Sequence, residues 1–292
     1  MTRWTAFAGL ASVVLLLLLG LARLSEARFE PTGEPSTRDG TDSGDGSTPA
    51  PEDPGPATRL PFHPATEPDA ERSLSTPERS PVAAAEREAS LSAGALLANV
   101  ALSQGVFGAA LIAAAVWADV PAAALGLVPV ATLLDLVSGV GLGVALWLAS
   151  EAGGQVAERA GVEVNEALRG ALAPDTLGGW AILLVAVLPT VALFEEFLFR
   201  AVLVGAFAAG AAATGVAVSP WLLAAGSSVA FALGHGVQGR AGVVATGALG
   251  FVLAAAFVHT GSFLLVVVAH YLVNALTLVA HEFDADALGA RR

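Results

Sequence analysis

The chain has 292 residues, of which 55% are hydrophobic and only 14% are charged. A soluble domain carries about 25% charged residues, so this composition excludes an ordinary water-soluble protein and indicates an integral membrane protein. The formal net charge is −12, from 26 acidic residues and 14 basic residues that are all arginine. This acidity excludes a nucleic-acid binder held by phosphate contacts. The absence of cysteine excludes disulfides, cysteine-ligated zinc, iron–sulfur clusters and thiol nucleophiles.

The first predicted element, residues 1–24, is an N-terminal transmembrane anchor. Residues 4–22 carry no charge, and about 20 apolar residues are enough to span a bilayer. A cleaved signal peptide has a shorter apolar run and a small-residue cleavage site. We therefore expect an uncleaved anchor in preference to a signal peptide.

Residues 25–90 form an acidic linker that is rich in proline. The stretch from Glu26 to Glu88 holds 14 of the 26 acidic residues and 11 of the 16 prolines. Its six arginines leave it with a net charge of −8. Such a segment cannot bury enough apolar surface to offset its ordering entropy, so we predict that it is disordered. The acidic, lysine-free composition suggests a halophilic source.

Residues 91–282 form the membrane domain, and residues 283–292 form a short tail. The run 177–213 is near 40 residues long and is interrupted by Pro189 and by charges, which predicts two spans meeting there. Residues 151–175 are predicted to form a charged loop. The sequence thus predicts an all-α, polytopic transmembrane helix bundle with about seven core spans and one N-terminal anchor. The apolar runs are 91–119, 121–150, 177–213, 216–235, 242–258 and 263–280.

A few ionisable residues stand inside these apolar runs. Each costs about 2.5–3.5 kcal/mol on insertion scales, so such residues persist when they are paired or functional. Glu196 and Arg200 are spaced i,i+4 and should pair on one helix face, while Glu195 points about 140° away from Arg200. The alternative is a charge cluster at a helix start, where acids favour the N-terminal dipole.

Three further polar residues complete the candidate set. His235 closes an apolar span, while His270 and Asn274 share one face of the last helix. The alternatives are an interfacial histidine and a helix–helix hydrogen bond. If helix directions alternate, Glu195 begins one span, His235 ends the next, and all four side chains reach the same half of the bilayer. This convergence indicates a site.

The chemistry of such a site is general-base hydrolysis of an amide. A carboxylate beside an imidazole can take a proton from water, and a second histidine and an asparagine amide can stabilise an oxyanion. A zinc site on Glu195, His235 and His270 stays open, although the sequence has no His-Glu-x-x-His motif. No metal is required on the preferred mechanism.

The motifs Glu-Glu-x-x-x-Arg (195–200), Phe-x-x-x-His (231–235) and His-x-x-x-Asn (270–274) occur in this order inside apolar helices. Their ordered set resembles the CPBP family of CAAX prenyl protease type 2, ABI and bacteriocin-processing enzymes, over roughly residues 95–280. The resemblance implies an intramembrane endopeptidase, of a kind often described as a metalloprotease. It also implies a membrane-associated, prenylated or leader-bearing protein as substrate.

The resemblance also implies a role for each candidate residue. Glu195 would activate water and His235 would assist it. His270 and Asn274 would stabilise the oxyanion. Glu196 and Arg200 would shape the site.

Two other functions remain open on the sequence. One is a proton-coupled transporter in which Glu195, His235 and Asp135 relay protons; the other is a non-catalytic membrane scaffold. We expect a multi-pass protein of the cell membrane whose partners are lipid and a peptide or membrane-protein substrate. The arginines give no clear orientation with eight spans. Analogy with the family places the site towards the cytoplasm and the linker outside.

Overall fold

The computed structural model describes residues 2–29, 81–127, 133–161, 174 and 176–287. All regular elements in these ranges are helices, which confirms the predicted all-α, polytopic bundle. Short 3-10 helices lie at Ala122–Leu125 and Gly236–Gln238. The longer helices are α1 (Trp4–Phe29), α2 (Pro81–Trp117), α3 (Leu133–Arg159), α4 (Leu177–Ala213), α5 (Pro220–Leu233), α6 (Gly239–Thr260) and α7 (Phe263–Ala287).

The number of spans is lower than the sequence predicted. Within the described ranges, six helices are long and apolar enough to cross a membrane, and α5 is a shorter apolar helix of 14 residues. The predicted pair of spans in 177–213 is one helix of 37 residues. Helix α2 begins at Pro81, within the segment assigned to the linker. The predicted disorder of the linker falls mostly on residues 30–80, which lie outside the described residues, as do residues 288–292.

Helix α4 is continuous although it contains Pro189, because a wider helical turn before the proline accommodates it. A proline inside a helix removes one backbone hydrogen bond, and its ring clashes with the carbonyl four residues before it. The segment Leu183–Val187, just before Pro189, is π-helical, and its wider turn relieves that clash. A second π-helical segment, Phe197–Ala206, follows directly on Glu196; such segments frequently occur at functional sites.

Glycines set the closest helix contacts around α7. A Cβ atom added to Gly139 of α3 would lie 2.8 Å from the carbonyl oxygen of Leu265, and one added to Gly143 would lie 2.8 Å from Leu272 Cβ. Larger residues at these positions would therefore separate the two helices. Residue numbers rise together along this contact, so α3 and α7 run parallel.

Helix α1 packs into the bundle. Phe7 and Ala11 are 1% and 0% exposed and belong to the largest hydrophobic cluster. The Arg3 backbone N–H donates to the Ala118 carbonyl at 2.8 Å, and the Arg3 guanidinium lies 4.8 Å from the centre of the Trp117 ring. Helix α1 also packs against the 3-10 helix Gly236–Gln238. Helix α1 therefore contributes to the hydrophobic core of the bundle, and its retention as an uncleaved anchor stays a prediction.

The contacts assign each helix end to one of two faces of the bundle. The first face holds the start of α1, the ends of α2 and α6 and the turns that join α4 to α5 and α6 to α7. The second face holds the end of α1, the start of α2, the end of α3 and the starts of α4 and α6. Arg3 is at the first face, while Arg23, Arg159 and Arg240 are at the second. The sequence adds Arg169 between α3 and α4. Cytoplasmic faces carry the excess of arginine, so we expect the second face to be cytoplasmic. This expectation puts the linker inside, opposite to the placement taken from analogy with the family.

This arrangement predicts that the two chain termini lie on opposite sides of the membrane. A reporter that is active only in the cytoplasm should be active when it is fused after Arg292 or inserted in the linker. It should be inactive at the N-terminus and in the turn after Ala213. The eight-span arrangement predicts instead that both termini share one side, so equal reporter activity at the two termini would contradict the structure.

Candidate active site

A buried ion pair lies at the centre of the bundle. The Arg200 Nη1 and Glu196 Oε1 atoms are 2.7 Å apart, and the two residues are 1% and 0% exposed. Arg200 also donates from Nη2 to the carbonyl oxygen of Gly250 in α6 at 3.0 Å. The pair predicted from the i,i+4 spacing is therefore present, and it links α4 to α6.

His270 of α7 lies against both glutamates. Its Nδ1 atom is 2.6 Å from Glu196 Oε1, and its Nε2 atom is 3.6 Å from Glu195 Oε2. A carboxylate paired with arginine can only accept hydrogen bonds, so Nδ1 carries the proton that is donated to Glu196. The other ring nitrogen then faces Glu195, as in sites where a carboxylate orients a functional imidazole.

The position of Glu195 differs from the sequence prediction. The prediction that Glu195 begins a span is wrong, because α4 is one helix and Glu195 lies in its interior at 8% exposure. The sequence also predicts that Glu195 points away from Arg200 and contacts some other group, and the structure agrees with this in part. Glu195 accepts a hydrogen bond from Gln104 Nε2 at 3.4 Å, but it shares His270 with Glu196.

Phe231 connects the ion pair to the two histidines. It is 1% exposed, and its ring centroid lies 4.8 Å from the Arg200 guanidinium, 4.6 Å from the His235 ring and 5.9 Å from the His270 ring. The sequence analysis noted Phe231 as part of a motif but gave it no role. A phenyl ring at this position holds a cation over its face and the imidazoles at its side.

His235 and Asn274 border this cluster without joining its hydrogen bonds. His235 follows the end of α5, is partly buried, and donates from Nδ1 to the Phe231 carbonyl at 2.8 Å. Asn274 lies one turn beyond His270 on the same face of α7 and is partly buried. Its side chain makes no hydrogen bond within the part of the chain that the structure describes, so its amide is available to a ligand.

The three possible zinc ligands do not form a metal site. Phe231 packs against both His235 and His270. Among the described residues, no three or more His, Cys, Asp or Glu side chains form a group that could hold a metal ion. No step of the mechanism is assigned to zinc.

Gly250 is a site residue that the sequence analysis missed. A Cβ atom built on it would lie 2.9 Å from Phe231 Cδ1 and 3.4 Å from Arg200 Nη2. Its carbonyl group also accepts from Arg200. A glycine inside an alanine-rich apolar helix gives no signal of this contact in a single sequence.

Comparison with known proteins supports the arrangement. Residues 177–276 match a family described as type II CAAX prenyl endopeptidase Rce1-like. This region spans α4, α5, α6 and the first half of α7, and it includes all six predicted site residues. Neither the search of curated proteins nor the search of solved structures found a match.

The contact around Gly250 predicts a loss of stability on substitution. Gly250→Ala should destabilise the bundle by about 1–3 kcal/mol, the range for overpacked cores, because the new methyl group displaces Phe231 or Arg200. Unfolding of the purified protein in detergent, titrated with a denaturing detergent, measures the change. Gly226→Ala is the matched control, since a Cβ atom there meets nothing within 4 Å. Equal unfolding midpoints for the two variants would show that the Gly250 contact is unimportant.

The buried ion pair predicts a non-additive effect of substitution. Arg200→Met should destabilise by about 3–5 kcal/mol, because it leaves the Glu196 carboxylate buried without its cation. Adding Glu196→Gln should recover a large part of this loss, since no uncompensated charge then remains. The same unfolding titration measures both variants. A double variant less stable than Arg200→Met would contradict the account.

Proposed function

We propose that this chain, whose residues 177–276 match the type II CAAX prenyl endopeptidase Rce1-like family, cleaves peptide bonds with a water molecule activated by Glu195. The family match supports a CAAX-type intramembrane endopeptidase, and the long apolar helices support an integral membrane protein. The mechanism, the roles of individual residues, the substrate and a location in the cell membrane belong to the proposal.

One observation carries the mechanism, namely that the two adjacent glutamates have different partners. Glu196 is paired with Arg200 at 2.7 Å and is fully buried, so its charge is committed to the ion pair. Glu195 has no arginine partner within salt-bridge distance among the described residues, and its side chain keeps 11% exposure. Glu195 is therefore the carboxylate that can bind water and act as the general base.

The proposed reaction is a general-base hydrolysis. Glu195 takes one proton from water while the water oxygen bonds to the peptide carbonyl carbon. The carbonyl oxygen becomes an oxyanion, for which the Asn274 amide is a suitable donor. His270 is a second donor only if its Nε2 atom already carries a proton from solvent when the reaction begins, and that proton is not consumed. When the carbonyl reforms, the C–N bond breaks, and the proton held by Glu195 passes to the amine nitrogen.

The remaining site residues prepare this geometry. Glu196 fixes the orientation and tautomer of His270 by accepting from Nδ1, and Arg200 holds Glu196 in place. His235 presents Nε2 as its remaining acceptor, because its Nδ1 proton is donated to the Phe231 carbonyl. We assign to His235 the role of assisting Glu195.

The substrate class follows from the position of the site and from the family. The glutamates lie in the interior of a helix that spans the membrane, so a cleaved bond must enter the bundle from the lipid or from a membrane face. We propose a membrane-associated protein that bears a prenyl group or a leader segment as the substrate. A transporter that relays protons through Asp135 is less well supported, because Asp135 lies in the first turn of α3, at the first face of the bundle.

The proposal predicts that Glu195→Gln abolishes cleavage. A loss of at least about 100-fold is expected, the scale of general-base catalysis, while the protein still accumulates in the membrane. The measurement is mass-spectrometric profiling of peptides released when proteoliposomes with each variant receive solubilised membrane proteins of the expression host.

Glu158→Gln is the matched control, since Glu158 is exposed on α3 and the same charge is removed. Peptides released equally by wild type and by Glu195→Gln would refute a protease that depends on Glu195. A synthetic peptide with S-farnesyl cysteine before three C-terminal residues, compared with its unmodified form, decides whether a prenyl group is required.

A further inference from the structure

Gln104 lies outside the family match and outside the residues predicted from the sequence, yet it contacts Glu195. It stands on α2, which packs along α4 through two glycines. A Cβ atom on Gly108 would lie 3.4 Å from Phe194 Cδ2, and one on Gly105 would lie 4.0 Å from Thr190 Cγ2. These glycines let α2 approach α4 closely enough for the Gln104 side chain to reach the site.

The two ends of the Gln104 amide have different environments. Its Nε2 atom donates to Glu195 Oε1 at 3.4 Å. Its Oε1 atom is buried and has no hydrogen-bond partner in the described ranges of the chain. A buried polar atom without a partner costs about 1–3 kcal/mol, so the amide is held in this position despite a cost, and its contact with Glu195 is the hydrogen bond that offsets part of it.

The orientation of the amide is fixed by chemistry. Glu195 as a carboxylate can only accept, so the NH2 group of Gln104 must face it, and the carbonyl oxygen is the atom left over. This oxygen belongs to the same amide group whose nitrogen donates to Glu195, the proposed base. On the opposite side, Glu195 Oε2 faces His270 Nε2 at 3.6 Å, so the carboxylate is held between α2 and α7.

We propose that Gln104 is a positioning residue for Glu195. The inference rests on the proposed hydrolysis. By donating from Nε2 to one carboxylate oxygen at 3.4 Å, Gln104 holds Glu195 from α2 in the orientation in which the carboxylate takes a proton from the attacking water.

The test separates this role from simple packing between α2 and α4. Gln104→Leu removes both polar atoms at similar volume, and Gln104→Met keeps the unbranched chain in case the leucine variant does not accumulate. The probe is a quenched fluorescent peptide built on a bond that wild type cuts and Glu195→Gln does not. Both variants should lower kcat by about 10- to 100-fold, as for a misplaced reacting group, with KM unchanged within about twofold.

The solvent deuterium isotope effect on kcat should also rise, because proton transfer from water becomes the slower step. Gln155→Leu is the matched control, since Gln155 is exposed on α3, and it should leave all three quantities unchanged. Wild-type kcat and isotope effect in the Gln104 variants, with Glu195→Gln inactive, would overturn this inference and keep the proposed function. If no bond is cut in a way that depends on Glu195, both fail together.

Discussion

The buried pair of Glu196 and Arg200 is the interaction on which the rest of the site depends. Two charges in a membrane interior are stable only if they are paired and hydrogen-bonded to their surroundings. Arg200 reaches one partner in α4, another at the Gly250 carbonyl in α6 and the ring of Phe231 in α5, and Glu196 accepts from α7 through His270. Four helices therefore converge on one pair of side chains, and their relative positions are fixed without a large polar core.

The local arrangement around this pair was readable from the sequence, because it depends on spacing within single helices. The i,i+4 spacing of Glu196 and Arg200 and the rarity of charges in apolar runs identified the residues. The span count was wrong, because a proline and two glutamates in a long apolar run look like a break. Whether the helix breaks there depends on the π-helical segment before Pro189. The pattern of apolar residues in a single sequence does not show where an α-helix widens into a π-helical turn.

The residues that the sequence did not reveal are those whose roles arise from contacts between distant helices. Gln104 and Glu195 are 91 positions apart, and Gly250 and Arg200 are 50 apart. A glutamine at a helix surface and a glycine in an apolar helix are both common, so neither stands out before the helices are packed. The corrected span count changes orientation as well. With one span fewer, Arg23, Arg159 and Arg240 lie at one face and Arg3 at the other, whereas eight spans distribute the arginines almost equally over both faces.

The adjacent glutamates illustrate how one helix can give two identical side chains opposite roles. Glu196 is closed off by an arginine, a histidine and complete burial, so its charge is structural. Glu195, one residue earlier, contacts an amide and the far nitrogen of the same imidazole. Because His270 donates its Nδ1 proton to Glu196, the nitrogen that faces Glu195 is an acceptor in the neutral ring. The buried ion pair therefore determines which nitrogen of His270 is presented to the proposed base.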